Sequence, residues 1–211
     1  TTFFKPRSRS GMENFYPGET LLYWACGLGE RSGTQEHERF QRSAEYYMEW
    51  HLREENRNPA FVPYHTLAYA SAWRLTGSDW FREAIFEIND WLAGLQRIDH
   101  AEPDVLGDFY SSDHAEYGPS HTSSTAVYLE SLVKALAVAR ESEDLDRAGR
   151  YREAIILALR NLIQLQFADD VDAFYVARQV RVFGALRTSP WDNSLRIDNV
   201  AHALLAVSRA L

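Results

Sequence analysis

Apolar positions along this chain fall into two alternating kinds of segment. Leu21, Leu22, Trp24, Ala25 and Leu28 make a short, mostly apolar stretch. It is entered at Tyr16-Pro17-Gly18-Glu19, where a first-turn proline and a carboxylate at the positive end of the dipole are helix-start signals. Gly27, Gly29 and Gly33 end it. From Thr34 to about Arg57 the pattern turns amphipathic, with Phe40, Ala44, Tyr47, Met48 and Leu52 at helical spacing and charge on the other face. Asn58-Pro59 breaks the chain; 63–76 then predicts a second apolar helix stopped by Gly77, and 78–96 its amphipathic successor, capped by Ser78. After the polar loop 97–119, a third apolar helix starts at Ser120 or Thr122, and Asp144 to Phe167 forms its charged partner. The stretch FYVARQVRVFGALRTS alternates well enough to predict a small β-hairpin-like insertion near 170–190. A last apolar helix, LRIDNVAHALLAVSRAL, has no charged successor. Residues 1–15 are polar and basic without a period, an arm or linker ahead of one domain spanning 16–211.

An apolar helix followed by an amphipathic one, three times over, is a helical repeat. Pro17 and Pro63 stand 46 positions apart, and His65-Thr66 and His121-Thr122 stand 56 apart. These spacings exceed the roughly 34 of TPR repeats and are unequal, so the insertions lie between hairpins. The physical solution is all-α: apolar helices form an inner layer and charged helices cover it, an α/α-hairpin toroid or partial toroid. Successive inner helices then run in one direction, and their N-termini with the preceding loops meet on one rim.

Composition narrows the function. At 211 residues with 45% hydrophobic and 25% charged, the chain supports one sizeable core. The balance of 22 Lys+Arg against 30 Asp+Glu gives −8, the wrong sign for a surface that neutralises nucleic-acid phosphates or anionic lipid. No apolar run is long enough for a membrane span. A lone cysteine, Cys26, closes no intrachain disulfide and reads as a small buried hydrophobe; with seven scattered histidines it makes no zinc pattern. No metal or cofactor is called for. No signal peptide is visible, and a reducing, cytoplasmic setting is expected, while a start at Thr1 suggests that sequence ahead of it was removed. Aromatics make up 13%, and they serve either as core or as flat platforms for sugar rings.

The polar residues expected on the rim are Tyr16, Glu19, Tyr64, His65, Ser120, His121, Trp191, Asp192, Arg196, Asp198 and His202. Glu19 is either a general acid or base or a carboxylate that only complements the helix dipole. His65 and His121, each at an inner-helix start, are either proton carriers or capping and core residues. Asp198 and His202 stand four apart, on one helical face, where a carboxylate orients an imidazole. Arg187 and Arg196 offer forked guanidinium groups to a substrate carboxylate, or else bridge at the surface. Trp73 and Tyr117, with Trp24, Tyr69 and Tyr128, are candidate platforms or core, and Trp50, Trp80 and Trp91 pack between layers. In the loop, Asp99, Asp104, Asp108, Asp113, His114 and Glu116 suit solvation better than calcium, since no calcium-loop spacing is present.

The segments FYPGETLLYW at 15–24, PYHTLAYASAWRLTGSDWFREA at 63–84, GPSHTSSTAVYLESL at 118–132 and GALRTSPWDNSLRIDNVAHALLA at 184–206 resemble the six-hairpin (α/α)6-toroid group of carbohydrate-active proteins. Within it the chain looks most like the epimerase-like members, the C-terminal toroid domain of D-glucuronyl C5-epimerases and the N-acylglucosamine 2-epimerases. The resemblance implies epimerase-like acid/base chemistry on a uronic acid or amino sugar, a saccharide or other small polar substrate. Catalytic groups would come from Glu19, His65, His121 and His202, and substrate contacts from Tyr16, Tyr64, Trp73, Tyr117, Trp191, Arg187, Arg196 and Asp198. Glycoside hydrolysis or lysis, with Glu19 paired to Asp108 or Asp113, is the alternative on the same fold; a non-catalytic helical glycan- or protein-binding module is another. A full toroid of this group has twelve helices. The roughly seven here imply the C-terminal part of a longer protein, a homo-oligomer partner that supplies the rest, or a short arc that closes itself.

Overall fold

A computed structural model describes residues 12–29, 33–119 and 121–210, and in it the chain is mainly α-helical with one two-stranded antiparallel hairpin. The helices are α1 (Tyr16–Gly27), α2 (Thr34–His51), α3 (Val62–Thr76), α4 (Asp79–Gly94), α5 (Thr122–Glu141), α6 (Leu145–Gln164) and α7 (Ile197–Ala210). The mostly apolar helices pack on one another in sequence, α1 on α3, α3 on α5 and α5 on α7. Against this layer lie the amphipathic helices, α2 on α1, α4 on α3 and α5, and α6 on α5. No described helix is long and apolar enough to cross a membrane.

Local chemistry sets the boundaries. Gly77 ends α3 in the left-handed conformation (φ +67°), where it pays no Cβ penalty. Ser78 stands at the N-cap of α4 without a side-chain cap bond. The cap of α5 is His121, whose ring Nδ1 accepts from Ser123 N at 3.2 Å; Ser120 lies outside the described residues. Asp144 caps α6 by accepting from Arg147 N at 3.0 Å. Polar side chains stitch the layers together. Asn89 of α4 donates to Thr66 Oγ1 of α3 at 2.8 Å, and Asp90 of α4 accepts from Tyr151 Oη (2.8 Å) and Arg147 Nε (2.9 Å) of α6.

Contact between α1 and α3 depends on Gly18. A Cβ there would lie 2.8 Å from both His65 Nδ1 and Tyr64 Cβ. Alanine gains up to about 1 kcal/mol in helix propensity over glycine, but overpacking a rigid helix seam costs roughly 1–3 kcal/mol. Gly18→Ala should therefore lower stability by about 1–2 kcal/mol net. Urea denaturation checks this; a stabilised variant would show that the seam yields freely.

Three expectations are corrected. Residues 1–11 lie outside the described residues, but Met12–Asn14 forms a 3-10 turn with Asn14 buried, so the arm does not reach 15. The hairpin falls later than its alternation predicts: β1 (Arg187–Ser189) pairs with β2 (Asp192–Leu195), while the alternating stretch before it is turns and a 3-10 turn at Gln179–Arg181. Its apolar residues Phe174, Val180 and Phe183 are exposed, with no sheet face to bury them. Cys26 is exposed rather than buried.

The first half of loop 97–119 is fixed in place. Gln96 Nε2 donates to both Gly107 O and Ala154 O at 2.9 Å, Asn161 Nδ2 donates to Asp104 O at 3.2 Å, and Arg97 pairs with the buried Asp108. At the other end of the layer, Ile197, Leu204 and Leu205 of α7 are exposed. Val200, Leu204 and Val207 there line an apolar groove of ≈ 450 Å³ against Leu159, Leu162 and Ile163 of α6.

Candidate functional site

The leading ends of α1, α3 and α5 meet at one cleft. Together with α7 they enclose a cleft of ≈ 210 Å³, below the roughly 300–1,000 Å³ of pockets for drug-sized ligands and suited to a single ring. Its polar lining is Glu19 from α1, Tyr64 from α3, Ser123 and Ser124 from α5 and His202 from α7; Phe15, Ala60, Val127 and Tyr128 supply apolar wall.

The His202 ring is held from behind. Its Nδ1 lies 3.1 Å from Glu130 Oε1; because an ionised carboxylate only accepts, Nδ1 carries the proton and Nε2 is left to exchange one. Glu130 is buried on α5, and its second oxygen takes the Arg209 guanidinium of α7. A buried carboxylate between two such donors is compensated rather than orphaned. Across the cleft, burial raises the Tyr64 phenol above its ordinary range, and the charges of Glu19 and Glu130 raise it further. Tyr64 is thus a persistent O–H donor at neutral pH.

Four residues singled out in the sequence come together here: Glu19, Tyr64 and His202, with Tyr128, a candidate platform, in the apolar wall. The orienting carboxylate is Glu130, not Asp198, which instead pairs with Arg196 at 2.7 Å in the open. His65 is wholly buried and stacked on Phe61, ring centroids 3.5 Å apart. Its Nδ1 donates to Phe61 O at 2.8 Å, and burial pulls its pKa down to about 3. It is core. His121 is spent on its cap, accepting also from Ser123 Oγ at 2.7 Å, and burial and Arg196 hold it below the usual imidazole range.

The other expected contacts lie apart from the cleft lining. Tyr16 and Trp191 are exposed, Trp73 packs against the core, and Tyr117 stacks on His114 at 4.7 Å. Arg187 donates to Gln164 O at 2.8 Å and lies over Phe167, while Asp192 caps the hairpin turn through Ser194 N at 2.9 Å. Sequence reasoning missed Ser123, Ser124, Glu130 and Arg209. Glu130 had a signal: it is a carboxylate inside the mostly apolar run TSSTAVYLESLVKALAVAR, where burial demands a partner. Among the described residues no group of three or more His, Cys, Asp or Glu is placed to hold a metal ion.

Comparison of the chain with protein-family models, with curated proteins and with solved structures finds no significant match in any of the three. The cleft's own chemistry therefore carries the functional reading.

Proposed function

We propose that the protein is an acid/base enzyme of the sugar-epimerase kind, acting on a ring-sized polar saccharide in the cleft between α1, α3, α5 and α7. One observation carries this: Glu19 and a carboxylate-oriented His202 line one small cleft on different helices, the arrangement a two-base proton transfer needs. In such a step one group removes the proton from a carbon next to a carbonyl, the aldehyde of an amino sugar in its ring-opened form or the carboxylate of a uronic acid, and the C–H electrons pass into the carbonyl to give an enolate. The other group returns a proton to the opposite face. Tyr64 and the Ser124 hydroxyl are the donors available to the enolate oxygen, the Ser123 hydroxyl being given to His121.

Of the two substrate classes the amino sugar fits better. Glu19 is the carboxylate of the lining and, among the described residues, no arginine or lysine lines it, so a uronate would meet repulsion there without a described cation to hold it. Hydrolysis finds less support, since it needs two carboxylates flanking the bond. Asp108 is buried with Arg97, Asp113 is on the exposed loop, and Glu130 sits behind His202. The toroid reading is part of the same proposal: hairpins from a longer protein or from a partner copy would cover the exposed Leu204 and Leu205 of α7.

The test is solvent deuterium exchange. Amino sugars and uronic acids incubated with the protein in D2O should show deuterium at the carbon beside the carbonyl by NMR, and Glu19→Gln or His202→Asn should each slow this by about 100-fold or more. A panel without exchange would remove the enzyme reading, and binding without exchange would leave the glycan-binding module.

A further inference from the structure

A second cleft, of ≈ 460 Å³, opens on the other side of the α3 start and shares no residue with the first. Glu13, Asn14, Trp50, Glu55, Arg57 and Glu116 line it, with Asn56 and Asn58 at its edge. We propose that it binds an organic cation bearing N–H groups, an alkylammonium or a guanidinium.

The unmet groups at this cleft ask mainly for donors. Asn14 is 6% exposed, and its Oδ1 is buried with no hydrogen-bond partner among the described residues. An acceptor withdrawn from water and left unpaired is costly, and here a ligand N–H would satisfy it. Three carboxylates, Glu13, Glu55 and Glu116, are exposed around it, and Glu116 is kept ionised by its 2.9 Å bond to His114 Nδ1. The half-buried indole of Trp50 adds a π face, which attracts cations and not anions. Arg57 is the cation already present, but its charge is directed outward: Nη2 donates to Glu87 at 2.9 Å and the guanidinium lies over Trp91. Its buried Nε has no partner among the described residues and leaves room for one acceptor atom on the same ligand. Both asparagines at the edge are committed to backbone, Asn56 Nδ2 to Trp50 O and Asn58 Oδ1 to Ala60 N. Among the described residues one compensated cation stands against three carboxylates, and together they make the field in the cleft negative.

Agmatine is the probe, followed by titration calorimetry on the whole chain, with no turnover required. Agmatine should bind one to one, and butane-1,4-bis(trimethylammonium), which carries the same two charges but no N–H, at least about tenfold more weakly. Glu55→Gln, an exposed change that leaves the fold alone, should weaken agmatine by about tenfold, and Asn14→Leu should weaken it further while unfolding no earlier than the parent. Glu38→Gln, exposed on α2 and more than three turns or about 18 Å from Trp50, should change nothing. Absence of agmatine binding at millimolar concentration would overturn the proposal. So would butane-1,4-bis(trimethylammonium) binding as tightly, or Glu38→Gln weakening agmatine as much as Glu55→Gln, since both mean diffuse attraction to a chain of charge −8.

Discussion

Lowering the pH from 7 to 5 should cost the fold about 4 kcal/mol, mostly through two histidines. His51, at the end of α2, is 1% exposed and both ring nitrogens lack a partner among the described residues. It stacks on Phe61 with centroids 4.1 Å apart, and His65 covers the opposite face of the same ring at 3.5 Å. Trp91 closes the far side of His51 edge-on at 5.3 Å, and Tyr69 closes that of His65 at 5.7 Å. Burial drives both pKa values down to about 3, with Arg57 opposing a charge on His51 and His51 opposing one on His65. In the unfolded chain each takes a proton near pH 6.5. Between that pH and about 3 the unfolded state holds more protons, so stability falls as pH falls through the whole window. At pH 5 the loss is about 2 kcal/mol for each group. His121, also held low, adds in the same direction, whereas carboxylates act only below the range used here. Urea midpoints at pH 7 and 5 measure the difference. His51→Phe, which removes two unpaired buried nitrogens and one titrating site, should raise stability at pH 7 and roughly halve the acid loss. Equal midpoints at both pH values would mean that these rings are hydrated in solution.

The helical order was readable because period and punctuation agreed: prolines at the starts of α1 and α3, Gly77 after α3, and an apolar helix each time followed by an amphipathic one. That order also implied the shared rim, which brought Glu19, Tyr64 and His202 together. What a sequence pattern does not contain is the rotation of each helix about its axis. His65 follows Tyr64 by one residue, about 100° around the helix, and that turn takes it from cleft to core. His121 carries the right chemistry but stands one residue before α5, where an unpaired backbone N–H claims its ring. Asp198 lies four residues from His202 on α7, yet Arg196 is nearer and wins it, leaving His202 to a carboxylate 72 positions earlier in the chain. The hairpin was displaced for a different reason: alternation marks a strand only where a partner strand exists, and 174–183 has none.

Gly107→Ala should be the most damaging single-atom change in the described structure, at about 4 kcal/mol, a large share of the 5–15 kcal/mol that holds a typical domain. Gly107 has φ +91°, and a Cβ on it would fall 2.1 Å from Leu157 O and 2.6 Å from Leu157 C. Two costs combine. A side chain at that φ costs roughly 1–2 kcal/mol, and the clash is with helix backbone, which cannot rotate away as a side chain would. Relief requires lifting the loop off α6, and the loop is tied there: Gly107 N donates to Arg97 O at 2.8 Å, Arg97 N donates to Asp108 O at 2.9 Å, and buried Gln96 bridges Gly107 O to Ala154 O. Moving it unmakes bonds that leave buried polar groups unpaired, at roughly 1–3 kcal/mol. Gly184 separates the two costs, because it has φ +82° but nothing within 4 Å of its Cβ position. Gly184→Ala should therefore show the conformational cost alone, about 1–2 kcal/mol. The gap between the two variants in denaturant midpoint is the contact cost of seating loop 97–108 on α6, the helix that backs α5 and with it Glu130 and the serines of the cleft. If Gly107→Ala destabilises no more than Gly184→Ala, the loop is not held against Leu157, and the close approach drawn from its geometry is wrong.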